Sequence, residues 1–146
     1  MTVQMLTTED LMNMSQAELD ELYKNSPIGE IPNGDTKGTA LFFPGSALAK
    51  GLSPMITTLV WKGKVFDRDR QFLLNKVGPL SFNLVKAQIY RGKSWLCDGE
   101  AIILDYSKTS FLAQAIRDEI REVAPGLYLG NAYWGRTRVL NFILEL

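Results

Sequence analysis

Leu84-Val85-Lys86-Ala87-Gln88-Ile89-Tyr90-Arg91-Gly92-Lys93-Ser94-Trp95-Leu96, then Cys97-Asp98-Gly99, then Glu100-Ala101-Ile102-Ile103-Leu104-Asp105-Tyr106 decide the fold. Two extended, β-branched and aromatic runs flank Asp98-Gly99, the strongest short hairpin signal in the chain. The first run reads as one long strand bent at Gly92, and Ala101 to Tyr106 returns antiparallel to it. Alternation puts Val85, Ala87, Ile89 and Arg91 on one face and Leu84, Lys86, Gln88 and Tyr90 on the other. In the returning strand Ala101, Ile103 and Asp105 oppose Glu100, Ile102, Leu104 and Tyr106.

The same grammar extends in both directions. Lys64 to Phe66 and Phe72 to Val77 flank the charged turn Asp67-Arg68-Asp69-Arg70, and Tyr128 to Trp134 and Arg138 to Leu144 pair about Gly135. In the last strand Arg138, Leu140, Phe142 and Leu144 share a face, with Val139, Asn141, Ile143 and Glu145 behind it. Thr39 to Phe43, closed by Pro44-Gly45, adds a first strand. Seven or eight strands suffice for a small antiparallel barrel, so the expected class is mainly β, a β-rich α+β fold. Ser15-Gln16-Ala17-Glu18 has capping-box spacing, and Leu19, Leu22 and Tyr23 follow on one helical face until Pro27. A loop runs from Ser26 to Lys37, and Ser46 to Trp61 reads as one or two helical turns behind Ser53-Pro54. Leu112, Ile116, Ile120 and Val123 form a stripe ended by Pro125-Gly126, which predicts a second helix at about 109–123 with Arg117, Asp118, Arg121 and Glu122 on its solvated face.

Composition narrows the chemistry. At 146 residues the chain has the size of one domain, 1–146. The absence of histidine removes the Ser-His-Asp and Cys-His systems and histidine-held zinc or haem, and a single cysteine cannot build a thiolate cage. The expectation is no metal and no cofactor. Sixteen basic and sixteen acidic residues cancel, so nucleic acid is not an expected partner, although Trp61-Lys62, Tyr90-Arg91 and Trp134 with Arg136 have the makings of stacking sites. Residues 1–35 carry seven acids and one base, which suits an acidic helical and loop segment packed on a more basic barrel. No apolar run approaches the roughly 20 residues of a membrane span. A start without a signal-like pattern and the lone thiol of Cys97 point to the cytoplasm.

Polar side chains on strand faces are the candidates for a cavity wall, because burying them is costly unless they are paired or used. Lys86, Gln88, Tyr90, Asn131, Tyr133 and Asn141 are the ligand-contact candidates. Asp105 follows three apolar residues and precedes Tyr106; a carboxylate desolvated in a cavity has its pKa raised and can serve as a general acid or base. Asp105 with Tyr106 is therefore the candidate catalytic pair, and a helix-capping or turn role is the alternative for Asp105. No Walker or G-x-G-x-x-G spacing occurs, and Cys97 beside Asp98 has no thiolate-stabilising neighbour in sequence.

This meander of short strands with one late helix resembles the lipocalin-like, or calycin, group of small barrels. Lipocalins carry Gly-x-Trp near their first strand and a helix after the last; this chain has Trp61-Lys62-Gly63 and Gly92-Lys93-Ser94-Trp95, and two strands follow the expected helix. Trp61 to Asp67 and Ala124 to Gly130 are also similar to stretches of uncharacterised bacterial proteins. The resemblance implies a barrel that holds a small apolar or amphipathic molecule. The alternative from another class is a cofactor-independent isomerase, cyclase or lyase using Asp105 in the same cavity; a module whose basic body meets an acidic partner is a third.

Overall fold

Two capping boxes open the chain. The Thr7 hydroxyl accepts from the Asp10 amide while the Asp10 carboxylate accepts from Thr7 N, and Ser15 and Glu18 repeat the exchange. Each satisfies amides that a helix start leaves without partners, so α1 (Thr8–Met12) and α2 (Gln16–Asn25) form there. The second helix is the one expected at Ser15; the short first one was not anticipated. The structure, a computed structural model, describes residues 5–42, 61–78, 82–111 and 113–146. Apart from Trp61, the helical turns expected from Ser46 to Trp61 lie outside the described residues, as does the end of the first expected strand at Phe43.

Among the described residues nine antiparallel strands follow the helices: β1 (Gly34–Asp35), β2 (Lys37–Phe42), β3 (Gly63–Asp67), β4 (Phe72–Val77), β5 (Phe82–Lys93), β6 (Glu100–Asp105), β7 (Ile116–Ala124), β8 (Leu127–Trp134) and β9 (Thr137–Glu145). Their order in the sheet is β1-β3-β4-β5-β6-β7-β8-β9-β2. β1 and β2 are pieces of one extended stretch interrupted at Thr36; the first pairs with β3 and the second with β9. The sheet thus returns on itself as a nearly closed barrel. At this seam Thr36 N donates to Lys64 O (3.0 Å) and Gly38 N to Lys62 O (2.8 Å). Gly63 makes the approach possible: its φ is +135°, and a Cβ there would sit 2.3 Å from Thr36 O. The count is nine among the described residues, not seven or eight, because Gly34–Asp35 was read as loop and Ile116–Ala124 as helix.

The helix expected at about 109–123 is corrected. Turns occupy the described part of 107–115, and Ile116–Ala124 is β7, hydrogen-bonded to β6 on one side and β8 on the other. A spacing of four residues is common to a helical stripe and to every second strand position, so Ile116 and Ile120 fit both periods. Pairing on both sides settles the choice, since strand preference follows tertiary context. Ile116, Asp118, Ile120 and Glu122 alternate with Arg117, Glu119, Arg121 and Val123.

Both faces of this part of the wall are buried. Phe66, Leu73, Ala87, Ile89, Ile102, Leu104, Ile120, Tyr128, Phe142 and Leu144 fill the barrel. Leu11, Leu19 and Tyr23 of the helical segment pack outside it on Ala101, Ile103, Leu129 and Ile143. Among the described residues no helix is long and apolar enough to cross a membrane.

Candidate functional site

The barrel interior is not filled throughout. A cavity of about 320 Å³ is walled by Trp61, Val77, Ala113, Ile116, Leu140 and Phe142, with Ala40, Val85 and Ala132 between them. That volume lies in the range of small-molecule sites, roughly 300–1,000 Å³. Small side chains leave the space: Ala113 and Ala132 stand where neighbouring inward positions carry Leu104, Ile120 and Phe142.

Four polar side chains meet in one part of this apolar wall. Alternation along β3 turns Lys64 inward with Phe66, along β4 Asn75 with Leu73, and along β7 Asp118 with Ile120; Tyr106 ends the inward row of Ile102 and Leu104. Lys64 Nζ donates to Asn75 Oδ1 (2.8 Å), Tyr106 Oη (2.7 Å) and Asp118 Oδ2 (3.1 Å), which uses all three of its protons. The Trp61 indole N–H donates to Asn75 Oδ1 (2.9 Å), and Asn75 Nδ2 donates to Tyr106 Oη (2.8 Å) and Val85 O (2.9 Å). The ammonium also lies 5.3 to 5.5 Å from the ring centres of Phe142, Tyr106 and Trp61, within cation–π range.

Val85 reaches this cluster through a bulge. Leu74 pairs with Lys86 but Asn75 with Leu84, so Val85 is the extra residue, and its φ is +56°. A β-branched residue in that region is strained, and such strain collects at functional positions. Here it turns the Val85 carbonyl toward the Asn75 amide.

Burial alone would depress the Lys64 pKa, but Tyr106 and Asp118 outweigh it and hold the ammonium above the ordinary lysine range. Burial raises the Tyr106 hydroxyl and the Asp118 carboxyl, with Lys64 pulling both part of the way back. A buried ammonium without a counter-charge is prohibitive, so Lys64 and Asp118 are ionised together. A lysine whose pKa rises on folding stabilises the fold fully below its unfolded value, about 10.4. That contribution is lost as the pH climbs through the raised value. Thermal melts from about pH 9 to 12 should therefore show a falling limb that Lys64→Met makes shallower; an equal slope in the variant would contradict the assignment.

Of the candidate catalytic and ligand-contact residues named from the sequence, Tyr106 alone lines this cavity; Trp61, noted there as a stacking residue, lines it too. Asp105 lies on the opposite face of β6, partly exposed, accepting from Tyr90 Oη and Ser107 N, each at 2.9 Å. Burial pushes its carboxyl up, but Ser107, Tyr90 and nearby Lys108 hold it below the ordinary carboxylate range. The structure thus shows the turn-capping geometry, not a desolvated acid in a cavity. Lys86, Gln88 and Tyr90 point outward from β5 and are exposed, with Lys86 Nζ over the Phe72 ring at 4.3 Å. Asn131 and Asn141 are buried on the outer face under α2, where Asn141 Nδ2 donates to Asn131 Oδ1 (2.7 Å) and Gln16 Nε2 donates to Asn141 Oδ1 (2.8 Å). Tyr133 is buried on the same face, edge-on to Trp95. The face expected for Arg138 is corrected too: a bulge at Val139 turns it outward, where its guanidinium grips Asp20 of α2 at 2.8 and 3.0 Å.

That outer layer holds its own buried acid. Glu119 is fully buried and accepts from Tyr23 Oη (2.9 Å), Ser94 Oγ (2.5 Å), Trp95 N (2.8 Å) and Arg117 Nη1 (2.7 Å). Arg121 Nη1 donates to the Tyr23, Lys24 and Ser26 carbonyls at the end of α2. The Tyr23, Ser94, Trp95 and Arg121 contacts tie α2 and the 94–99 loop to the wall, which makes the layer structural.

Sequence reading missed Lys64, Asn75 and Asp118. A lone polar residue within each apolar row of β3 and β4 was the available signal; Asp118 was hidden by the helical reading of its strand. Among the described residues no group of three or more acidic or cysteine side chains could hold a metal ion. No known protein family matches the chain, and no curated protein does. A crystal structure of a protein from Thermomonospora curvata is similar in fold, with a TM-score of 0.65 and 22% identity over 90% of this chain and 87% of that one. The chain therefore shares a nearly closed antiparallel barrel with this bacterial protein.

Proposed function

We propose that the barrel binds a small apolar or amphipathic molecule in the cavity beside Lys64 and Asp118. The observation that supports this most is a partly open, apolar pocket of about 320 Å³ lined by inward-facing residues of the barrel. A concave, mostly apolar pocket of this size with a few convergent polar groups is the usual form of a small-molecule site. The polar cluster within the wall is paired with itself, so the remaining lining favours a ligand that is mostly hydrocarbon.

Ala132 is the position from which to test this, since its methyl group lines the space from β8. Ala132→Phe should fill much of the cavity at a cost of about 1–3 kcal/mol or less, because the added ring enters open volume and not packed core. The variant should stay folded by circular dichroism and lose both co-purifying small molecules in native mass spectrometry and calorimetric binding of naphthalene. A folded variant that holds these molecules as the parent does, or a parent that holds none, would overturn the proposal.

A further inference from the structure

The donors and acceptors of the cluster fix what kind of polar group a ligand can bring to it. All three Lys64 protons are spent on Asn75, Tyr106 and Asp118. Both Asn75 amide protons are spent on Val85 O and Tyr106 Oη, and the Trp61 N–H on Asn75 Oδ1. Asn75 Oδ1 and Tyr106 Oη each accept two bonds already, which fills them. Tyr106 keeps its own hydroxyl proton, the one donor of the cluster that these bonds leave over. Asp118 accepts one of these bonds, from Lys64, against roughly four lone-pair sites on a carboxylate. It also lines the cavity and keeps 5% of its side chain exposed. The capacity left in the cluster is one Tyr106 proton against several acceptor sites, and those sit on Asp118.

We propose that the cavity selects molecules carrying a neutral hydrogen-bond donor, a hydroxyl or an N–H, which Asp118 accepts, and that it rejects carboxylates. This rests on the cavity-binding reading. A ligand carbonyl or ether would find at most the Tyr106 proton and leave Asp118 unpaired, and a carboxylate would be desolvated beside the Asp118 charge with a single neutral donor to offset it. A site with an acceptor waiting discriminates strongly against an analogue that lacks the donor, since the buried acceptor then goes unpaired.

Three probes with one ring system separate the outcomes: 2-naphthol, 2-methoxynaphthalene and 2-naphthoate, titrated calorimetrically into the intact chain near neutral pH. The expected order is 2-naphthol tightest, roughly tenfold or more over its methyl ether, and 2-naphthoate weakest. An ether that binds as tightly as the naphthol, or a naphthoate that binds best, overturns the donor inference and leaves the cavity reading standing. No binding by any of them, nor by naphthalene, overturns both. In Asp118→Asn the side chain offers protons as well as an acceptor, so the preference for the naphthol should fall toward unity; a folded variant that keeps it overturns the role of Asp118. Should that variant fail to fold, the series on the parent chain decides alone.

Discussion

Lys64→Met is expected to destabilise the protein by about 3–5 kcal/mol, because it leaves the Asp118 carboxylate buried opposite nothing. The pair joins β3 to β7 at 3.1 Å, with side chains only 3% and 5% exposed, so bulk water offers little compensation for the lost partner. Lys64→Met combined with Asp118→Leu should recover most of the loss, since an apolar pair of similar volume carries no desolvation penalty. Urea unfolding of the parent, both single variants and the double variant gives the coupling energy directly. A Lys64→Met protein within about 1 kcal/mol of the parent would mean that the two groups are neutral in the folded state.

Glu119→Ala should cost a comparable amount, about 3–5 kcal/mol, for a different reason. Four donors converge on this carboxylate, and its removal leaves the Arg117 guanidinium, the Tyr23 and Ser94 hydroxyls and the Trp95 amide without their acceptor. The damage should be local to the outer layer. Tryptophan emission should shift to the red as the 94–99 loop loosens, while naphthalene binding in the cavity persists. Glu119→Gln, which keeps an acceptor oxygen but not the charge, should lose less. Equal losses in the two variants would show that the charge carries the whole effect.

Much of the barrel was legible because its signals are local. Asp98-Gly99, the charged turn before Phe72 and the turn at Gly135 each impose a hairpin within a few residues, and β3 to β6 and β8 to β9 follow from them. What failed depends on distant partners. Ile116 to Val123 suits a helix or a strand until β6 and β8 are known to flank it. The faces of β6 were sorted correctly, but helices covering the outside bury Ala101 and Ile103 as fully as the interior buries Ile102 and Leu104. Inside and outside therefore could not be told apart by hydrophobicity, and Asp105 was assigned to the cavity while Tyr106 and Asp118 hold the inward positions. Lys64 was passed over because a lysine between Gly63 and Val65 reads as an ordinary solvated residue.

The seam has a kinetic meaning as well as a geometric one. Lys37 pairs with Glu145 and Phe42 with Leu140, partners roughly a hundred residues apart in sequence, whereas most of the other strand pairs are neighbours along the chain. Local hairpins close quickly; a contact of that separation must first overcome the entropy of a long loop. The step that docks 34–42 between β3 and β9 therefore sets the pace of folding, and until it happens the edges of β3 and β9 are both bare. Substitutions at Gly63 or Gly38 act on that step, prolonging the interval in which an open sheet can find another chain before it finds its own first strand.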